Sequence, residues 1–235
     1  MPRNVTINLR MIISSIIFFI IMPLVIYLGV TVLEDRKYYF VSIVLVLLAC
    51  VPFFLRFERR RPQPREILTI AVMAAISVAG RCLFVVTPAI KPVTAITAIT
   101  GISLGAEAGF ITGATTALVS NFFFGQGPWT PFQMFTWGMI GFIAGLLGKT
   151  GIMQRKILLA LFGVFAGLFF SFGMDIWGAI STAGMFSKEA FIAAIASALP
   201  FTIIYAVSNV IFLLLLAKPI GEKLERLKQK YGILQ

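Results

Sequence analysis

Histidine is missing from all 235 residues, and cysteine occurs twice, at Cys50 and Cys82. Without imidazole there is no ordinary zinc ligand set and no Ser-His or Cys-His nucleophile pair. No paired carboxylates stand at a spacing suited to acid–base work either. The sequence therefore offers no catalytic residues and no metal ligands. Both cysteines lie in apolar segments, where they read as small buried hydrophobes, and two of them do not make a disulfide framework. Charge is scarce as well: 12% of residues are charged, against about 25% in an average soluble domain.

What is present is hydrocarbon. Apolar residues make up 59% of the chain, and stretches such as Met11–Leu33, Ala108–Gly148 and Ala190–Ala217 contain no Asp, Glu, Lys or Arg. A membrane-spanning helix needs about 20 such residues, so the chain reads as an integral membrane protein in the lipid bilayer. Its net charge of +11 sits in the connections between apolar runs. That is the pattern of anchoring beside anionic lipid, not of a nucleic-acid partner. Arg3 and Arg10 precede an apolar run too long for a signal-peptide core, with no small-residue cleavage site after it, so it reads as a retained helix.

Spans are expected at 11–33, 38–55, 66–88, 92–105, 107–124, 130–148, 156–179 and 190–217. The stretch 92–124 would be about 50 Å long as one helix, well beyond a hydrocarbon core of about 30 Å. A break in "GISLGAEAG" divides it. With the break, fifteen Lys and Arg fall on one side and four on the other; without it the split is eight against eleven. The positive-inside rule selects the first arrangement. Both termini are then cytoplasmic, in a multi-pass protein of the cell membrane, and the Gly125–Pro131 loop faces outward. The basic, proline-bearing "RFERRRPQPRE" separates a two-helix N-terminal extension (1–62) from a six-helix core (63–220), with a basic cytoplasmic tail at 221–235. The fold class is all-α: a polytopic helical bundle of six core helices plus two N-terminal transmembrane helices.

Ala71, Ala75 and Ala79 recur every fourth residue and share one helix side, where small side chains let another helix approach closely. Packing within this chain would use the same spacing. Gly101, Gly105, Gly109 and Gly113 repeat likewise, as do Gly141 and Gly145, although the first series crosses the expected break. "GLLGKT" ends like a phosphate-binding loop, but Ile143 stands where its first glycine belongs and no strand precedes it. The chain shows no ATP site of its own.

The block "NFFFGQGPWTPFQMFTWG", Asn121 to Gly138, is unlike its oily surroundings. Asn121, Gln126, Thr130 and Gln133 offer neutral donors and acceptors, while Phe124, Trp129 and Trp137 offer flat apolar walls. Ligand sites combine an apolar lining with a few placed polar groups in this way. An interfacial Trp belt explains the indoles but needs no amides. Arg81 and Asp175 lie inside spans, toward their outer ends. Intramembrane charge faces a cavity, a ligand or a partner, so each is a ligand contact, half of a mutual ion pair, or a side chain that snorkels to the interface. Trp177 is a ligand wall or an interfacial anchor.

The alanine stripe, the Gly/Thr-rich helices after it and the outward aromatic-amide loop together resemble the substrate-binding S components of energy-coupling factor (ECF) vitamin transporters. "GQGPWTPFQMFTWG" resembles the cobalamin-type subgroup, and the likeness covers about Ile67 to Leu216. It implies a non-enzymatic subunit without a resident cofactor, which captures a vitamin outside the cell. It then reorients against a membrane-embedded T component, while two ATPase subunits consume the ATP. Carried over, Ala71, Ala75 and Ala79 match the face used against the T component. The implied ligand-binding set is Arg81, Asn121, Phe124, Gln126, Trp129, Gln133, Trp137, Asp175 and Trp177. A corrinoid suits Trp and Gln, and without His its cobalt would go uncoordinated by imidazole; flavin-like and other ring vitamins also fit. A proton-coupled carrier or membrane enzyme working through Arg81 and Asp175 is the competing class, and a ligand-free assembly factor a third.

Overall fold

The computed structural model describes residues 16–21, 24–25, 38–59 and 63–232. The expected first span and the linker's 60–62 fall outside or largely outside these residues. Seven α-helices follow in order: α1 (Tyr38–Arg59), α2 (Pro64–Leu83), α3 (Val93–Leu104), α4 (Ala106–Phe124), α5 (Thr130–Gly148), α6 (Lys156–Ala183) and α7 (Lys188–Tyr231). No strand occurs among the described residues. Helices α2, α5, α6 and α7 are long and apolar enough to cross a membrane, whereas α3 and the apolar part of α1 are shorter. At twelve residues α3 is about 18 Å long, too short to span alone. It sits at the centre instead, with every residue from Val93 to Gly101 buried.

The break falls at Gly105, whose φ of 98° and ψ of 167° suit a residue without Cβ. Both halves of the interrupted glycine series then converge on one neighbour. Gly101 and Gly109, from opposite sides of the break, meet the backbone of Gly141 in α5. Gly113 meets the backbone of Trp137 and Gly138, and Gly145 that of Ala106. Backbone lies against backbone along this seam, which small residues permit and any side chain would prevent. Buried threonines flank it. Thr100, Thr112 and Thr136 satisfy their hydroxyls by donating to carbonyls four residues back, at Ile96, Ala108 and Phe132, a back-bond that costs little in a dry helix interior.

Helix α1 docks on the outer side of α4 and α5. Phe53 stacks on Phe110 at 4.1 Å between centroids and meets Phe142 edge-on at 5.1 Å. Among the described residues α2 keeps an outward side: Ala71, Ala75 and Ala79 are exposed there, while Ile70, Met73, Ala74, Ser77 and Val78 of the same helix are buried. Helix α7 runs through the position where the basic tail was expected to begin and ends only at Tyr231, capped by Gly232 at φ 61°. Leu224 is buried in the main core, and Arg65 at the start of α2 lies 5.2 Å from the Tyr231 ring. One end of the bundle is therefore marked by Arg65 and Tyr231. The last turn of α2 lies at the other.

Candidate functional site

At that other end, a slot is enclosed by α2, α3, α5, α6, α7 and the α2–α3 loop. Its walls are Arg81, Lys91, Val93, Thr94, Gln133, Trp137, Phe170, Tyr205 and Asn209. It holds about 390 Å³ of non-protein space, partly open to the outside, of which the centre of a water-sized sphere can explore about 50 Å³. It is a narrow slot, not an open bowl.

The amide block builds one wall through a chain of hydrogen bonds. Asn121, fully buried in α4, accepts from an Arg81 Nη at 2.8 Å and donates to Thr130 Oγ1 at 2.8 Å and to Gln133 Oε1 at 2.9 Å. Thr130 donates to Gln126 Oε1 at 3.0 Å, and Gln126 donates to the Leu118 carbonyl at 2.8 Å. The same Arg81 nitrogen also donates to Ser120. The amides thus fall into two groups. Asn121, buried, and Gln126, exposed, spend their hydrogen bonds on protein, bracing the loop and orienting Arg81, whereas Gln133 reaches the slot with its Nε2 side uncommitted. Polar bracing of this kind, behind the slot wall, holds a site at fixed geometry.

The aromatic residues divide similarly. Phe124 carries cations on its ring, with the Arg81 guanidinium carbon 4.5 Å and Lys91 Nζ 5.1 Å from its centroid. Trp137 lines the slot, yet it stacks on Phe170 at 5.0 Å and 8° and also lies 5.2 Å from the Arg81 guanidinium. Its faces are occupied, so the wall it offers is an edge. Trp129 covers Gly127 within the loop and does not line the slot. Trp177 packs on Phe132 at 5.4 Å.

Arg81 and Asp175 are both buried and form no ion pair with each other. Asp175 lines a separate, roomier cleft between α6 and α7, with about 1040 Å³ of non-protein space and with Gly178, Thr182, Ala194 and Phe201 around it. A charge relay running directly from one to the other is absent from this geometry. Sequence reasoning missed Lys91, Thr94, Phe170, Tyr205 and Asn209. Asn209 was the legible one, since an amide inside the apolar run of α7 costs free energy unless something pairs with it. Lys91 lies in the connection between α2 and α3; burial, and then the neighbouring Arg81 charge, hold its ammonium below the ordinary lysine pKa.

No curated protein and no solved structure matches the chain. A family model does, over residues 63–222, from the residue before α2 to Glu222 in α7 and so across every helix that lines the slot. On that match the chain belongs to the ECF-type riboflavin transporter S component family, the substrate-binding membrane subunits of ECF vitamin transporters.

Proposed function

We propose that this subunit captures a planar ring vitamin of the flavin class at the outer end of the bundle. It then delivers the vitamin by reorienting against a T component through the Ala71–Ala75–Ala79 face. ATP is consumed by partner ATPases, and the chain itself performs no chemistry. The observation that carries the ligand class is the shape of the slot. Its free volume of about 50 Å³ is well below the roughly 300–1,000 Å³ usual for small-molecule sites, so only a thin ligand enters it, and only as the walls part. A narrow space lined by Arg81, Lys91, Gln133 and Asn209 suits a flat heterocycle with carbonyl and ring-nitrogen acceptors. A corrinoid is a far bulkier body with a crowded amide periphery, and the family match is riboflavin-type, so the cobalamin reading loses both supports. The exposed alanines favour an intermolecular role over packing within this chain.

Titration of the purified chain with riboflavin and with cobalamin tests this, read by quenching of tryptophan fluorescence, together with the mass of any copurifying small molecule. Tight riboflavin binding with no cobalamin response is expected. Tight cobalamin binding would return the corrinoid reading.

A further inference from the structure

The slot is one-sided in charge. Arg81 and Lys91 both line it, and among the described residues no Asp or Glu does. Both cations lie within 5.1 Å of the Phe124 ring centroid, so they share one small region of the wall. Arg81 is 7% exposed and is met by neutral partners, Ser120 and Asn121. The slot's hydrogen-bonding capacity is skewed the same way. Arg81 Nε, Trp137 Nε1 and Asn209 Nδ2 are buried without partners, on side chains at most 7% exposed. All three are donors. A buried cation without a counter-charge is costly, more so in a bilayer and beside a second cation. Unpaired buried donors add to that cost. Asp175 offers no relief, because it lines the other cleft.

We propose that the slot takes its ligand as an anion: a flat heterocycle bearing an oxyanion group, phosphate or carboxylate, that is held by Arg81 and Lys91. Ring acceptors face the Trp137 and Asn209 N–H groups. The bound anion completes the charge balance that the protein leaves open, and oxyanions suit the forked donors of a guanidinium. The ring rests on the flavin-class reading above, whereas the charge rests on Arg81, Lys91 and the missing acid.

The test uses the full chain in nanodiscs of zwitterionic lipid, titrated with two pairs of probes: riboflavin against riboflavin 5′-phosphate, and nicotinamide against nicotinate. The phosphate ester is expected to bind about tenfold more tightly than riboflavin at low salt, with the gap closing as salt rises. Lys91→Met should shrink the gap to about twofold or less, and Lys91→Arg should restore it. Equal binding of the two flavins, indifferent to Lys91→Met, would overturn the anion proposal while leaving the flavin reading in place. Binding of nicotinate but not nicotinamide, with neither flavin bound, would sustain the anion proposal and sink the flavin reading. No response to any of the four probes would end both. In discs containing phosphatidylglycerol the preference should survive; its loss there would assign the anion to a lipid headgroup and overturn the proposal.

Discussion

Replacing Gly141 by alanine adds one methyl group to the seam where α3, α4 and α5 meet. The new Cβ would lie 2.5 Å from the Gly109 carbonyl carbon and 2.8 Å from Thr97 Cγ2, with the Gly109 oxygen still nearer. Ordinary contact begins near 3.4 Å, so the backbones must separate by about 1 Å, because a carbonyl cannot swing aside as a flexible side chain can. Overpacking of this kind costs about 1–3 kcal/mol, and backbone against backbone puts the expectation at the upper end. For a chain of this size that is a fall in Tm of roughly 6–12 °C. The same separation shifts α5, which carries Gln133 and Trp137, away from α4, which carries Asn121, so ligand affinity should fall too. Gly178→Ala is the matched control: its nearest neighbour is Ala194 Cβ at 3.9 Å, and it should leave both readouts unchanged. Thermal unfolding in detergent and a ligand titration on both variants decide the matter. A Gly141→Ala protein with parental Tm and affinity would show that the seam is loose and that its glycines do not set the helix spacing.

Ala75→Leu should change stability by no more than about 0.5 kcal/mol, because the position is exposed, and should leave ligand affinity intact while abolishing ATP-dependent uptake in reconstituted vesicles. Surviving uptake would remove the alanine face from the transport step. Asn121→Leu keeps the bulk but leaves Arg81 with Ser120 alone and takes the donor away from Gln133 and Thr130. Affinity measured by titration should fall by about 5- to 150-fold, corresponding to about 1–3 kcal/mol. With Cys50 and Cys82 replaced, a cysteine at Lys188 should label from outside intact cells and one at Gln154 only after permeabilisation; external labelling of position 154 would invert the assigned topology.

Local features of the fold were readable because they depend on local chemistry. Helix α5 begins and ends at Thr130 and Gly148, where the proline after Thr130 and the Gly-Lys pair predict it. The division of 92–124 follows from length against bilayer thickness, and Gly105 supplies the conformation it needs. Convergence of Gly101 and Gly109 on Gly141 was not readable, since spacing along one helix says nothing about which helix fills the groove. The candidate site shows the same boundary. Its amides and aromatics stand out by composition, so the region was visible. Which of them faces a ligand depends on tertiary hydrogen bonds that spend Asn121 entirely on protein and on the Phe170 stack that covers Trp137. Lys91 escaped because a lysine in a loop is ordinary until the loop folds inward over an arginine.

Helix α2 brings the two proposed functional surfaces closest together. Its inward side ends in Arg81 at the slot, and its outward side carries Ala71, Ala75 and Ala79 toward lipid. Ala79 and Arg81 are two residues apart, about 3 Å along the axis. A ligand that engages Arg81 acts on the backbone next to the end of the stripe, with no intervening domain or hinge. A rigid helix cannot absorb a displacement at Arg81 by side-chain adjustment alone, because Ser120 and Asn121 fix the guanidinium to α4. Any shift of Arg81 is therefore shared between α2 and α4, and through Gly109 and Gly113 it passes to α5. Loss of transport on enlarging Ala75 with binding preserved, and loss of binding on removing Asn121 with the stripe untouched, would separate the two faces of this one helix.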